Sequence, residues 1–137
     1  MRVALDTNVL LSSLLRRDSV PDQLVQAWSN GRFVLLTHEI QITELRVASR
    51  RPHIRPRLSR VEVGGLVNEL RGKGVVLDRL PHASRSLDPL DDYLLALCEA
   101  GRANFLVTGD KAGLLALGTH AGATILTARA MLDRLLK

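Results

Sequence analysis

The chain has 137 residues, 46% of them apolar and 24% charged, which is typical of one soluble globular domain with a sizeable core. We therefore expect residues 1–137 to form a single domain. Lys and Arg outnumber Asp and Glu by nineteen to fourteen, a formal charge of +5, so a polyanionic partner is expected. Sixteen of the nineteen cations are Arg, whose guanidinium binds phosphate oxygens in pairs.

Cysteine, aromatic and apolar content exclude several other classes of protein. Cys98 is the only cysteine, which excludes an internal disulfide and a cysteine-based zinc site. Only four aromatic residues are present, so single-stranded bases have no row of rings on which to stack. The start of the chain lacks the apolar stretch of a signal peptide, and no run approaches the ~18 apolar residues of a membrane span. We expect a cytoplasmic protein with no membrane contact.

Short apolar runs alternate with helical patterns along the chain. The runs predict five strands, at 3–5, 33–36, 75–77, 105–107 and 124–126. The helical patterns lie at 20–30, 38–49, 60–72, 89–100 and 128–136. This alternation predicts an α/β fold, a mostly parallel central sheet with helices on both faces. Reactive groups in such folds collect beyond the carboxyl ends of the strands.

Two acids directly follow predicted strands. Asp6 ends the first strand, and Asp110 comes just after the strand at 105–107. Each has an ordinary structural interpretation, since Asp6 could cap the helix of the segment that follows and Asp110 could belong to a turn. Because the carboxyl ends of parallel strands share one edge, we expect both carboxylates at that edge.

A third acid lies within the helical pattern at 38–49. At ~100° per residue, Glu44 shares a face with Ile40, Val47 and Ala48. This face predicts a carboxylate amid an apolar stripe, where it needs a metal, a cation or hydrogen bonds. The alternative is that a face through Ile42 and Leu45 is the buried one and turns Glu44 to solvent.

The next helix opens with three acids. Asp88 is the expected N-cap, with Pro89 at the first helical position, so Asp91 and Asp92 fall in the first turn. Acids there suit the helix dipole without any further role. On a helical wheel Asp91 lies on the apolar arc and Asp92 further round. We therefore favour Asp91 as the functional acid and keep Asp92 as the alternative.

Four carboxylates are thus expected at one edge of the sheet: Asp6, Glu44, Asp91 and Asp110. Crowded carboxylates repel one another unless a hard cation such as Mg²⁺ or Mn²⁺ neutralises them. Such a cation lowers the pKa of a bound water and stabilises charge on a phosphate, which are the two requirements of phosphodiester hydrolysis. The set predicts metal-dependent hydrolysis at phosphorus.

The four sites resemble, in order and spacing, those of the PIN-domain family of metal-dependent ribonucleases, which includes the VapC-like toxins of toxin–antitoxin pairs. The motifs are Asp6-Thr7-Asn8-Val9-Leu10, Thr43-Glu44-Leu45, Asp88-Pro89-Leu90-Asp91-Asp92 and Val107-Thr108-Gly109-Asp110-Lys111. The resemblance implies that Asp6, Glu44, Asp91 and Asp110 bind the metal. It also implies that Asn8 and Thr108 are polar groups behind the ligands or beside the phosphate.

The resemblance implies three further expectations: RNA as the substrate, a small antitoxin as a partner, and self-association into a dimer. The sequence departs from it at two places. Ala112-Gly113 stands where similar toxins often carry a further acid, and His38 stands where a serine often opens the helix of the glutamate. The first departure removes an auxiliary ligand.

A basic segment follows the helix of Glu44. It holds six arginines and no acid: Arg46, Arg50, Arg51, Arg55, Arg57 and Arg60. Pro52 and Pro56 interrupt any helix in its middle. We interpret the segment as an arm that holds an RNA backbone, and the alternatives are a solvated connection or a docking site for the antitoxin.

These observations predict a metal-dependent endoribonuclease, whose in-line attack at phosphorus leaves a 5′-phosphate and a 3′-hydroxyl. A catalytically silent binding domain, with a depleted metal site at Ala112-Gly113, is the main alternative. A phosphotransferase with Asp6 as nucleophile is a weaker one, because Asn8 stands where a second acid is needed.

Overall fold

The computed structural model describes residues 1–83, 85 and 91–136. Within these ranges the strands are β1 Arg2–Leu5, β2 Val34–Thr37, β3 Val75–Val76, β4 Phe105–Val107, β5 Thr119–His120 and β6 Ala123–Leu126. The helices are α1 Thr7–Leu15, α2 Val20–Ser29, α3 Glu39–Ser49, α4 Arg60–Lys73, α5 Asp92–Gly101, α6 Leu114–Leu117 and α7 Ala128–Leu135, with a 3₁₀ helix at Arg55–Arg57.

The strands form one sheet in the order β3-β2-β1-β4-β6-β5. All neighbouring pairs are parallel except β5 with β6. The predicted α/β class and its mostly parallel sheet are therefore confirmed. None of the helices within the described ranges combines the length and the apolar character that crossing a membrane requires.

The side chains of β1 separate the core into two halves. Val3 and Leu5 point to a cluster built mainly from α1, α2, α3, α4 and α7. Ala4 points to the other face, where α5 and α6 supply most of the apolar contacts. All three side chains are inaccessible to solvent, as expected for a central strand of a parallel sheet that is covered on both faces.

Two helices and one strand were missed by the sequence analysis. α1 follows Asp6 at once, and α6 has a single turn, so neither forms a long periodic pattern. β5 pairs with β6 through a tight hairpin whose central residues, Ala121 and Gly122, both have positive φ, 50° and 85°. Positive φ at both positions is the signature of a type I′ turn. The predicted cap at Asp88 and Pro89 lies outside the described residues.

Candidate active site

The strand order reverses direction between β1 and β4. The chain proceeds from β1 outward to β2 and β3, then returns to the opposite side of β1 with β4. Asp6 follows β1 and Thr108 follows β4, and the Asp6 amide donates to the Val107 carbonyl at 2.8 Å. A switch point of this kind opens a crevice beyond the carboxyl ends of the strands, where α/β proteins bind their ligands.

Asp6 is buried at this crevice, with 7% of its surface exposed. Its Oδ2 accepts a hydrogen bond of 2.8 Å from Thr108 Oγ1, and its Oδ1 accepts one of 3.3 Å from the Asn8 amide, which caps α1. Burial raises the pKa of Asp6 above its ordinary value of 3.8, and the charges of Glu44 and Asp110 raise it further. The two hydrogen bonds offset part of this increase in pKa.

Glu44 does not lie in a buried apolar stripe, so that prediction was wrong. Ile40 and Val47 are 47% and 62% exposed, whereas α3 buries Ile42 and Leu45, the face given as the alternative. Glu44 is nevertheless half-buried, because its carboxylate turns towards α5. There Glu44 Oε1 accepts a hydrogen bond of 3.0 Å from the Tyr93 hydroxyl.

A chain of hydrogen bonds ends at Glu44. Gln41 Nε2 lies 3.5 Å from Thr7 Oγ1, which lies 2.8 Å from the Tyr93 hydroxyl. Because the single hydrogen of Tyr93 is directed to Glu44, Thr7 must donate to Tyr93. Burial raises the pKa of Tyr93, so this hydroxyl remains a donor at neutral pH.

Three of the four predicted acids line one cavity of about 180 Å³. Its lining residues are Asp6, Thr7, Asn8, Glu44, Ala48, Arg51 and Asp91. Sequence reasoning missed Thr7, Gln41 and Tyr93 as members of this site. Their only signal was the presence of polar residues beside the motifs, and nothing in the periodicity indicates that they contact one another.

Asp91 and Asp92 face different cavities. Asp91 directly precedes α5 and lines the acidic cavity. Asp92 is the first residue of α5 and lines a second, more apolar cavity with Ile40 and Tyr93. Of the two acids, Asp91 therefore shares a cavity with Asp6 and Glu44, and its choice as the functional acid stays a prediction.

Asp110 is not among the residues that line the acidic cavity. Its Oδ1 accepts from the Gly113 amide at 3.0 Å and its Oδ2 from the Leu114 amide at 3.4 Å, at the start of α6. Gly113 makes room for this arrangement, since a Cβ there would lie 2.0 Å from Asp110 Oδ2. Asp110 remains linked to the site through its own amide, which donates to Thr108 Oγ1 at 3.1 Å.

The donor set suits a hard divalent cation, because carboxylate oxygens are the ligands that Mg²⁺ and Mn²⁺ prefer. A cation would also offset the mutual repulsion that raises the pKa of Asp6. In the arrangement seen here, no three acidic, histidine or cysteine side chains of the described ranges are placed to hold a metal ion together. Asp110, the fourth predicted ligand, is instead hydrogen-bonded to the Gly113 and Leu114 amides.

The six arginines of the basic segment do not form one continuous arm. Arg51 lines the acidic cavity. Arg46, Arg50 and Arg60 line a separate cavity between α3 and α4. Arg55 and Arg57 lie in the exposed 3₁₀ helix.

The fold and the site define a doubly wound α/β protein with an acidic crevice at the switch point of its sheet. Residues 2–112 match the profile of the PIN domain, so the chain belongs to the PIN-domain family, and the resemblance seen in its four motifs is confirmed. Its fold is similar to a chain of the crystal structure of FitAcB from Neisseria gonorrhoeae, with a TM-score of 0.51 and 20% identity. The alignment covers 93% of this chain and 98% of that one. No curated protein matches the sequence.

Proposed function

We propose that the protein is a divalent-metal-dependent endoribonuclease. The observation that carries this proposal is the convergence of Asp6, Glu44 and Asp91 on one cavity at the switch point of the sheet. Membership of the PIN-domain family supports it, because PIN domains are generally nucleases. The basic composition supports a polyanionic substrate.

Asp6, Glu44, Asp91 and Asp110 are the residues that would hold Mg²⁺ or Mn²⁺, with Asp92 as the alternative to Asp91. A bound divalent cation would lower the pKa of a water ligand and neutralise charge on the phosphate under attack. Thr108 fixes the orientation of the Asp6 carboxylate, and Tyr93 that of Glu44. Such partners of ligands tune metal affinity.

Two further residues of the cavity can contact the substrate. Arg51 brings a guanidinium into the same cavity as the carboxylates, where it can bind a non-bridging oxygen of the scissile phosphate. Asn8 is exposed at the cavity, and its amide can donate to a phosphate or ribose oxygen. In-line attack of a water molecule on phosphorus would break the bond to the 3′ oxygen and leave a 5′-phosphate and a 3′-hydroxyl.

The biological setting that we propose is a cytoplasmic toxin–antitoxin pair, of which this chain is the toxin. The support is the resemblance of the four motifs to the VapC-like group, together with the fold shared with FitAcB. A small antitoxin and a second copy of this chain are the proposed protein partners.

A catalytically silent RNA- or protein-binding PIN domain is the second candidate. It is favoured by the position of the Asp110 carboxylate, which is bonded to Gly113 and Leu114 outside the acidic cavity. Ala112-Gly113 supplies no replacement acid.

Incubation with single-stranded RNA in Mg²⁺, Mn²⁺ or EDTA separates the two candidates. We expect cleavage with either metal, none in EDTA and none by Asp6→Asn, whereas Asp133→Asn, an exposed acid on α7, should cleave normally. The products should be labelled by polynucleotide kinase only after phosphatase treatment. Cyclic 2′,3′-phosphate ends, or cleavage that persists in EDTA and in Asp6→Asn, would contradict the proposal.

A further inference from the structure

The cavity between α3 and α4, of about 230 Å³, is lined by three arginines, and we call it the basic cavity. Its lining residues are Arg46, Ser49, Arg50, Arg60, Val63 and Gly64. Three arginines therefore line a space that is larger than a single phosphate group. The acidic cavity is a separate space on the other side of α3, lined from that helix by Glu44 and Ala48.

Glu39 offsets part of the positive charge of this basic cavity, since the pKa of its carboxyl is lowered by the Arg71 hydrogen bond and by the charge of Arg46. None of Arg46, Arg50 and Arg60 forms an ion pair with an acid that the structure describes. Glu62, the acid nearest to Arg60 in the sequence, caps α4 instead, by accepting from the Ser59 amide. Three like charges held close together repel one another, and an anion between them relieves that repulsion.

Arg50 has hydrogen-bonding capacity to spare. One of its terminal N–H groups donates to the Leu58 carbonyl, which fixes the side chain across the start of α4. Its Nε is buried and has no hydrogen-bond partner among the described residues. A guanidinium carries five N–H donors, and a buried donor without an acceptor destabilises the folded protein. The terminal N–H groups that do not donate to Leu58 are the ones from which an oxyanion in the cavity can accept hydrogen bonds.

We propose that this cavity, which we call the phosphate seat, binds a backbone phosphate of the RNA away from the scissile bond. The proposal deepens, and rests on, the ribonuclease function proposed above. An α-helix with its side chains is about 10 Å across, so a phosphate beside Arg46, Arg50 and Arg60 is not the one at Glu44. The substrate would then be held at two points on opposite sides of α3, which fixes its direction across the acidic cavity.

A double variant, Arg46→Ala/Arg60→Ala, tests this seat. Both side chains are exposed, and neither guanidinium forms a hydrogen bond with a residue that the structure describes. The matched control is Arg55→Ala/Arg57→Ala, which removes the same charge from the same segment outside the cavity. Binding of a fluorescent single-stranded RNA is measured in EDTA at several salt concentrations. Each lost phosphate contact should lower the slope of log K against log salt by about 0.7.

The expected result is a slope reduced by about 0.7 in the cavity variant, for the one phosphate whose contact is lost, and a smaller change in the control. Equal weakening in both variants would overturn the proposal, because the arginines would then act only through their summed charge. Unchanged RNA affinity in the cavity variant would also overturn it and would leave the cavity to an acidic protein partner.

Inorganic phosphate provides an independent readout. Its titration into ¹⁵N-labelled protein should shift the Arg50 Nε–Hε resonance saturably, and the shift should be lost in Arg46→Ala/Arg60→Ala. A resonance that does not move, or that moves equally in the double variant, would count against the seat. Since neither measurement requires metal or cleavage, a protein that binds as expected but cleaves nothing would refute only the nuclease function. A protein that cleaves RNA but shows no difference between the two variants would refute only the seat.

Discussion

The Thr108 hydroxyl donates a hydrogen bond of 2.8 Å to Asp6 Oδ2 and joins the carboxyl ends of two neighbouring strands. The same hydroxyl accepts from the Asp110 amide at 3.1 Å. Because a hydroxyl has only one hydrogen, this second bond leaves that hydrogen directed at Asp6. Thr108 is fully buried, so water cannot replace it as the donor.

We expect Thr108→Val to lower cleavage by about 10–100-fold, mainly through weaker metal affinity, because it removes a partner that orients a ligand. Thr108→Ser keeps the hydroxyl and should retain activity within a few fold. The measurement is the Mn²⁺ concentration for half-maximal cleavage. Equal losses in the valine and serine variants would assign Thr108 a packing role only.

Asp6 should make the stability of the metal-free protein depend on pH. Its pKa in the folded state is raised above 3.8, so the folded protein binds this proton more tightly than the unfolded chain. The stabilisation from this group is therefore fully present below pH 3.8 and is lost as the pH rises through the pKa of the folded state. The loss in the free energy of unfolding is about 1.4 kcal/mol for each unit by which folding raises the pKa. Asp6→Asn lacks this ionisation.

Urea unfolding of the wild type and Asp6→Asn between pH 3 and 7 in EDTA measures this dependence. We expect the variant to gain stability relative to the wild type as pH rises through that range. A constant difference would mean that the folded and unfolded states bind the Asp6 proton equally.

Asp91→Asn should reduce cleavage at least about tenfold more than Asp92→Asn, because only Asp91 lines the cavity that holds Asp6 and Glu44. Loss of a carboxylate that binds a metal reduces activity at least as much as loss of a residue that hydrogen-bonds to such a carboxylate. Initial rates at saturating Mn²⁺ provide the comparison. The reverse order would assign the metal to Asp92.

Gly113→Ala should destabilise the protein through Asp110. The new Cβ would lie 2.0 Å from Asp110 Oδ2, and overpacking of this kind costs about 1–3 kcal/mol. Gly109→Ala, where a Cβ meets nothing within 4 Å, is the control and should unfold close to the wild-type temperature. In an Asp110→Ala background, Gly113→Ala should lower the free energy of unfolding by much less. If the effects of the two substitutions are fully additive, this clash is not the cause of the destabilisation.

Local sequence patterns were sufficient to predict five of the six strands in the described ranges, and the acids that follow β1 and β4. Val3, Ala4 and Leu5 are fully buried, as a short apolar run before Asp6 predicts, because β1 is covered on both faces. Glu44 was chosen because its face of α3 was expected to be buried. That reason was wrong, and the role of Glu44 in the site stays a prediction. The face through Ile40 and Val47 is exposed, and Glu44 is half-buried because α5 brings Tyr93 against it.

The sequence by itself determined which residue types follow which strands, since a strand and the turn after it depend on neighbours along the chain. Only the tertiary structure decided that Asp6, Glu44 and Asp91 share a cavity that Asp110 does not line. The tertiary structure also placed two consecutive arginines on different cavities: Arg51 lines the acidic cavity and Arg50 the basic cavity. At the end of a helix, the side chains of consecutive residues are directed about 100° apart. Their surroundings therefore depend on which elements pack on each side of the helix, and that packing is a property of the whole fold.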